Sequence, residues 1–399
     1  MNTLLYPNDY ASNLSQEADQ ASFALENAVT LLQLQSRDTA IANAHTRRIA
    51  GQNIIATNNR LGIARAVLMP LTQVGAKIAP LLPLQGTVAH MAGGRDYSGV
   101  TNRSAGFYFS NESAFLEGIQ LSEFRCYSAN IFNRVAGYWI GGLGLKPTKA
   151  IDRLSYPLNA VRRMSAELES PLIGGAGVGD STIGCVLGGA PLLVGAPISV
   201  NTSLKSMQIY TYATESNQPV QNALQDPRFA AHNGTSSGNI GAVYGGSSKG
   251  WTLGTFSLLS VDLLNFTTRA VSRSTAVLAR PHFVHACFGD KTRGVIAGGA
   301  IETSAPSDFV SEYVYATQAV QTLSAKLAEP KVCCDGTGSN VAGYVLGGDT
   351  NQSAAAGWIG TDTIDKFTYA LNATSRIDSK LPTLMADQGC VSDYAATLY

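Results

Sequence analysis

Histidines are the residues in this chain that could most readily bind a metal or transfer a proton. The five histidines are His45, His90, His232, His282 and His285. His282 and His285 lie three residues apart in a predicted strand, so their side chains should point to opposite faces. Because that spacing is poor for joint metal binding, the pattern favours ordinary structural histidines over a metal site.

Other catalytic motifs are not found in the sequence. There is no paired-carboxylate motif and no Gly-x-Ser-x-Gly nucleophile elbow. GGAGVG at Gly174 to Gly179 is similar to a phosphate loop, but it has neither the Lys-Ser/Thr ending nor a following helix, so we interpret it as a turn. The six cysteines form no Cys-x-x-Cys pair, which indicates free thiols in a reducing compartment. We therefore expect no metal, no cofactor and no disulfide framework.

Composition excludes several classes of function. The chain has 399 residues, 45% of them hydrophobic, so it can form a large core. Only 14% are charged and the net charge is zero, which argues against a broad basic surface for nucleic acid. No run of apolar residues is long enough to span a membrane. The first ten residues, MNTLLYPNDY, lack the basic and apolar regions of a secretory signal.

A hexamer that ends in two glycines recurs along the chain. GYVLGG is preceded by GVIAGG, GAVYGG, GCVLGG, GYWIGG and the looser AHMAGG, and the first glycine of each doublet falls at position 93, 141, 188, 245, 298 or 347. The spacings are therefore 48, 47, 57, 53 and 49. Each unit contains four short alternating segments bounded by turn residues, which predicts four strands and hence one blade of a β-propeller. The doublet should end the second strand in a turn that requires positive φ or a close backbone approach.

The number of blades depends on how the ring closes. After the sixth unit the chain begins another, in which Cys390-x-x-Asp393 matches Cys287-x-x-Asp290. An open propeller would leave unpaired strand edges, so strands from both ends of the repeat region should meet. The alternating segment from Ile54 to Gln73 precedes the first complete unit and could supply the missing strands. We therefore favour seven blades, with six as the alternative.

The repeat resembles the kelch repeat over residues 86–399, about four-fifths of the chain. With IDKF at Ile364 to Phe367 and IDRL at Ile151 to Leu154, the unit looks like the kelch-like repeats of bacteriophage tail proteins. This resemblance implies a virion structural protein of the tail or a tail appendage, assembled in the host cytoplasm. It implies other tail proteins as partners, a host surface glycan or protein as a further candidate, and no enzymatic role. We expect no binding of nucleic acid and no membrane insertion.

The resemblance also leaves an enzyme as the alternative. Some kelch propellers are carbohydrate-active enzymes, and galactose-oxidase-like members hold copper with Tyr and His. This sequence does not place such a set, although His90 and Cys287 are candidates to face the central channel. A sugar isomerase or hydrolase belongs to the same alternative, and a cellular kelch scaffold is a third hypothesis.

The polar loops after the doublets contain the candidate binding residues. In a propeller, equivalent loops gather on one rim, where aromatic and amide side chains can stack on and hydrogen-bond a sugar or contact a protein. Tyr97, Arg103, Trp251 and Trp358 lie in such loops. The alternative is that each tryptophan packs on its own blade.

The first 48 residues do not fit the repeat, so we divide the chain into an arm, 1–48, and a propeller, 49–399. Apolar residues of the arm recur at alternating spacings of four and three, which predicts one face of a helix. They are Leu14, Ala18, Ala21, Leu25, Ala28 and Leu32. This helix should either form an oligomer or dock on a neighbour, in which case the virion protein is a homo-oligomer, or lie on its own propeller.

Overall fold

The computed structural model describes most of the predicted propeller region. The described residues are 88–96, 98–191, 202–229, 233–250, 256–301, 305–350 and 360–393. Apart from 157–159, they belong to one compact unit. The predicted helical arm, the division at residue 49 and the segment from Ile54 to Gln73 lie outside the described residues, so they stay predictions.

The described residues form 26 strands and no helix. In chain order the strands are β1 (Val88–Ala92), β2 (Arg95–Asp96), β3 (Gly99–Val100), β4 (Ser104–Tyr108), β5 (Ser113–Leu116), β6 (Ala129–Phe132), β7 (Ala136–Ile140), β8 (Ile151–Ser155), β9 (Ala160–Arg163), β10 (Ala176–Gly179), β11 (Ile183–Leu187), β12 (Met207–Thr211), β13 (Ser216–Val220), β14 (Thr235–Ser236), β15 (Ile240–Tyr244), β16 (Ser260–Asn265), β17 (Val271–Val277), β18 (Ala286–Gly289), β19 (Arg293–Ala297), β20 (Ser307–Val314), β21 (Ala319–Lys331), β22 (Asp335–Gly338), β23 (Ala342–Leu346), β24 (Ile364–Thr368), β25 (Ala373–Arg376) and β26 (Gly389–Ser392).

Six four-stranded antiparallel sheets make a six-bladed β-propeller. Blades 2 to 6 each take four consecutive strands, beginning with β6, β10, β14, β18 and β22, and blade 1 has the order β26-β1-β4-β5. The remaining pair, β2 and β3, forms a small hairpin within the connection from β1 to β4. The predicted all-β propeller with four strands per repeat is confirmed.

The favoured count of seven blades is wrong, and the alternative of six is confirmed. Among the described residues, the incomplete unit after the sixth repeat supplies only β26, which pairs with β1 through Met91 and Cys390. Blade 1 begins at its second strand and lacks an innermost strand of its own, so the two incomplete units make one blade. Asp393 Oδ1 accepts a hydrogen bond from Val88 N at 3.0 Å, in the same way that Asp290 Oδ1 accepts one from Arg293 N at 3.1 Å. The junction between β26 and β1 thus has the same hydrogen bond as the turn that joins first to second strand in blade 5.

The glycine doublets occupy the conformation that the sequence predicted. All twelve doublet glycines have positive φ, for example 59° at Gly347 and 102° at Gly348. A Cβ atom at Gly347 would lie 2.5 Å from the carbonyl oxygen of Met385, which belongs to the segment leading into the next blade. Both backbone conformation and the approach of the neighbouring blade therefore require glycine.

The doublets also join each blade to the next one. The amide of the second glycine donates a hydrogen bond to a carbonyl in the segment that enters the next blade. The six pairs are Gly94 to Arg125 (2.8 Å), Gly142 to Leu172 (2.7 Å), Gly189 to Arg228 (2.7 Å), Gly246 to His282 (2.7 Å), Gly299 to Lys331 (2.7 Å) and Gly348 to Met385 (2.8 Å). We call this contact the seam hydrogen bond. Because it recurs at every junction between neighbouring blades, the repeated motif builds the ring as well as the blade.

The hydrophobic core lies between the faces of adjacent blades. Tyr138 and Ile140 of blade 2, for example, pack with Val186 and Tyr210 of blade 3. The rings of Tyr138 and Tyr210 are 5.1 Å apart and tilted by 53°. Period-two alternation on each strand supplies these two apolar faces.

Alternate blades contain a buried ion pair between the segment before the first strand and the third strand. The pairs are Arg125–Asp152 in blade 2, Arg228–Asp262 in blade 4 and Lys331–Asp365 in blade 6. The same two positions hold Leu172 and Gln208 in blade 3, His282 and Ser311 in blade 5, and Met385 and Ala105 in blade 1. The structural repeat is therefore a pair of blades, which occurs three times around the ring.

Candidate binding face and central channel

Two faces of the propeller differ in the connections they present. Short turns join first to second and third to fourth strands, and we name this side the turn face. The glycine doublets begin the connections from second to third strands, and the entries to the next blade lie at the same end; we name this side the loop face. Long connections at one end of a rigid scaffold are where binding residues usually lie.

Arg103 is an exposed residue of the loop face, as a binding side chain must be. It ends the connection from β1 to β4, and its carbonyl oxygen accepts a hydrogen bond from Gly93 N at 3.0 Å. Tyr97, Trp251 and Trp358 lie outside the described residues. Their proposed contribution to a binding rim stays a prediction.

The loop face also contains a charged cluster that we did not anticipate from the sequence. Arg95 Nε donates to Asp387 Oδ2 at 2.7 Å, and Arg95 Nη2 donates to the same carboxylate and to the hydroxyl of Tyr127. The guanidinium carbon lies 5.1 Å from the centre of the Tyr127 ring, within cation–π distance. Burial opposes the charge of Arg95, but Asp387, Tyr127 and the neighbouring thiols together raise the pKa of Arg95 above its ordinary value. Arg95 is therefore a fixed positive charge that joins blade 1 to blade 2.

A chain of backbone hydrogen bonds connects consecutive blades at this end. Cys333 N donates to Val284 O at 2.9 Å, and Asp387 N donates to Cys333 O at 2.8 Å. Tyr127 N then donates to Asp387 O at 3.2 Å, and Gly174 N donates to Tyr127 O at 2.9 Å. All five of these residues have positive φ. Blades 5, 6, 1, 2 and 3 are thus held together close to their innermost strands.

The central channel is polar near the start of the innermost strands. One polar side chain from each of blades 2, 4 and 6 meets there: Asn130, Asn233 and Asp335. The adjoining cavity has a volume of about 60 Å³ and is lined by the innermost strands of all six blades. Thr337 lines it, and its buried hydroxyl has no hydrogen-bond partner among the described residues. A space of this size accommodates a few water molecules, whereas pockets for drug-sized ligands are several times larger.

The described histidines make structural contacts. The predicted opposite orientation of His282 and His285 is wrong, because both precede β18 and Val284 between them has a φ of 48°, which brings the two rings to 5.9 Å. Nδ1 of His282 lies 2.9 Å from Gly298 O, and burial lowers its pKa, so the neutral ring donates this bond. His90 hydrogen-bonds to a carboxylate and stacks on a tyrosine ring. Cys287 lines the channel as expected, but His90, on a second strand, does not.

All six cysteines lie within the described residues, and all are free and buried. Within the described part of the chain, no three His, Cys, Asp or Glu side chains are arranged to hold a metal ion. No helix there is long and apolar enough to cross a membrane.

The fold defines the chain as a six-bladed β-propeller. Comparison with known protein families gives no match to the sequence, and comparison with curated proteins gives none either.

Proposed function

We propose that this protein is a structural component of a bacteriophage virion, in the tail or a tail appendage. Its kelch-like propeller is a rigid platform that binds the host surface or neighbouring tail proteins. The observation that supports this most is the recurrence of the GYxxGG and IDKF-like strands, which resembles phage tail repeats. The proposed role requires no bond to be made or broken.

The construction of the ring suits such a platform. Six equivalent seam hydrogen bonds and the pairing of β26 with β1 close the propeller into a ring. On the loop face, Phe124 and Leu145 have exposed side chains, and the backbone at Gly144 packs on the Phe124 carbonyl. Together with Arg103, they supply the apolar and charged contacts that a protein or glycan partner needs.

The test of this proposal is quantitative mass spectrometry of gradient-purified phage particles from the source culture. Peptide counts are scaled to a tail protein of known copy number. A stoichiometric signal in multiples of three or six supports the virion role and a symmetric assembly. Absence from intact particles refutes it, and stoichiometric copper in the purified protein would then favour the carbohydrate-active enzyme.

A matched pair of variants tests the use of the loop face. If it binds the host, Arg103→Ala should slow adsorption of the phage to its host. Arg134→Ala, which removes an exposed arginine from the turn between β6 and β7, is the control and should adsorb normally. Equal adsorption by both variants, with normal particle assembly, would contradict host binding through Arg103.

A further inference from the structure

One buried carboxylate in the channel bonds to segments of four blades. Asp335 Oδ1 accepts hydrogen bonds from Asn233 Nδ2 at 2.6 Å and Gly336 N at 2.7 Å. Asp335 Oδ2 accepts bonds from Cys390 N at 2.7 Å and Asn130 Nδ2 at 3.2 Å. All four lone-pair positions of the carboxylate are thus used.

One of these donors belongs to the strand that closes the ring. Cys390 lies in β26, which as an innermost strand has only β1 as a sheet neighbour. Blade 2 also holds β26, because Trp139 Nε1 donates to Gly389 O at 2.9 Å. On the channel side, Asp335 is the side-chain acceptor for the β26 backbone. Opening of β26 would therefore admit water to this carboxylate.

The surroundings of Asp335 contain no compensating positive charge among the described residues that bond to it. The titratable groups facing it are the thiols of Cys287 on β18, Cys334 before β22 and Cys390 on β26, and burial keeps all three neutral by raising their pKa. The segments from blades 2 and 4 present only the amides of Asn130 and Asn233.

The nearest basic residue along the chain does not neutralise the carboxylate. Lys331, four residues before Asp335, is bound instead to Asp365 at 3.0 Å. Burial raises the pKa of Asp335 from 3.8 to about 7, against the opposing effect of its hydrogen-bond donors. When the carboxyl is protonated, either asparagine can rotate its amide so that the amide oxygen accepts a hydrogen bond from the carboxyl O–H.

We propose that Asp335 is a pH-sensitive latch on ring closure, which holds β26 more firmly in acid than at neutral pH. In the closed ring the carboxyl retains its proton up to about pH 7, whereas the opened, hydrated carboxyl ionises from about pH 4. Closure therefore loses stability as the pH rises through this window, and the loss is complete above it. Between about pH 5.5 and about pH 8, the opening equilibrium of β26 should increase by up to about thirtyfold.

The experiment is hydrogen exchange of the full-length protein at these two pH values, corrected for the intrinsic rate of each amide. Amides of β26 should show the increase, and those of β10, the innermost strand of blade 3, should show much less. Asp335→Asn should remove the pH dependence, while the exposed control Asp378→Asn should keep it.

The latch is refuted if β26 and β10 respond equally, since opening would then be global, or if the wild-type β26 shows no pH dependence. Titration of Asp335 in the wild-type protein by carbon NMR of aspartate carboxyls is the second measurement, which does not require the variant to fold. A midpoint close to 4 would overturn the proposal, and a midpoint near 7 would support it. Neither result depends on the proposed virion role.

Discussion

The buried ion pair of blade 2 makes a sharp test of the blade-pair repeat. Arg125 is fully buried, and its Nη1 donates to Gly141 O at 3.1 Å and to Ala150 O at 3.0 Å. Its Nη2 donates to Asp152, which also accepts a bond from Ser122 N at 2.9 Å. Arg125→Leu would leave a buried carboxylate with neutral partners only. Removing one member of such a pair costs about 3–5 kcal/mol of unfolding free energy.

Blade 3 shows how the same positions can be filled without charge. Leu172 and Gln208 occupy these positions in blade 3. The double variant Arg125→Leu/Asp152→Gln therefore gives blade 2 the uncharged residue pair of blade 3. We expect the double variant to lie within about 2 kcal/mol of the wild type, because no unpaired buried charge remains. Asp152→Gln alone should cost about as much as Arg125→Leu, since it leaves the guanidinium buried and unpaired.

The assay is urea unfolding of the four proteins, followed by far-ultraviolet circular dichroism. The coupling energy follows from the double-mutant cycle, and equal m-values would show that all four unfold between similar states. A single variant that loses less than about 1 kcal/mol would contradict the reasoning. So would a double variant whose loss equals the sum of the two single losses.

Three further predictions follow from burial and backbone geometry. Gly347→Ala should lower the free energy of unfolding by at least about 2 kcal/mol, because φ is positive and the new Cβ meets a carbonyl oxygen. The control Gly118→Ala places its Cβ in open space and should be nearly neutral in the same urea assay. Val391→Asp should cost about 3–5 kcal/mol and lower the melting temperature, since Val391 is buried against Trp139, while the exposed Val341→Asp should change it little. The six buried thiols should not react with a disulfide reagent in the native protein but should all react in urea; rapid native labelling would be inconsistent with the structure.

Some features of the fold follow from the sequence because they depend on neighbouring residues. Alternating segments bounded by turn residues predicted four strands per repeat, and the doublet predicted positive φ after the second strand. The seam hydrogen bonds of the doublets were not predicted, although six carbonyls at the same position of the repeat accept them. The blade count was wrong because the pairing of β26 with β1 joins segments about 300 residues apart, and alternation does not specify that partner.

The candidate site was less predictable than the fold. Arg103 was singled out by its loop, and it is exposed on the loop face. Arg95 lies in the same connection but was not predicted, because nothing local distinguishes an arginine that binds a carboxylate 292 positions away. The same is true of Asp335, whose partner Asn130 is separated from it by 205 positions.

The strand pattern, the repeat period and the positions that need glycine can be read from the sequence, because alternation and backbone sterics act over a few residues. The closure of the ring by six blades and the alternation of buried charges between blades became visible with the folded structure. The folded structure also brought one carboxylate, Asp335, onto the axis beside the closing strand. These features depend on distances between blades, and on the loss of water around charged groups, which exist only after the ring has formed.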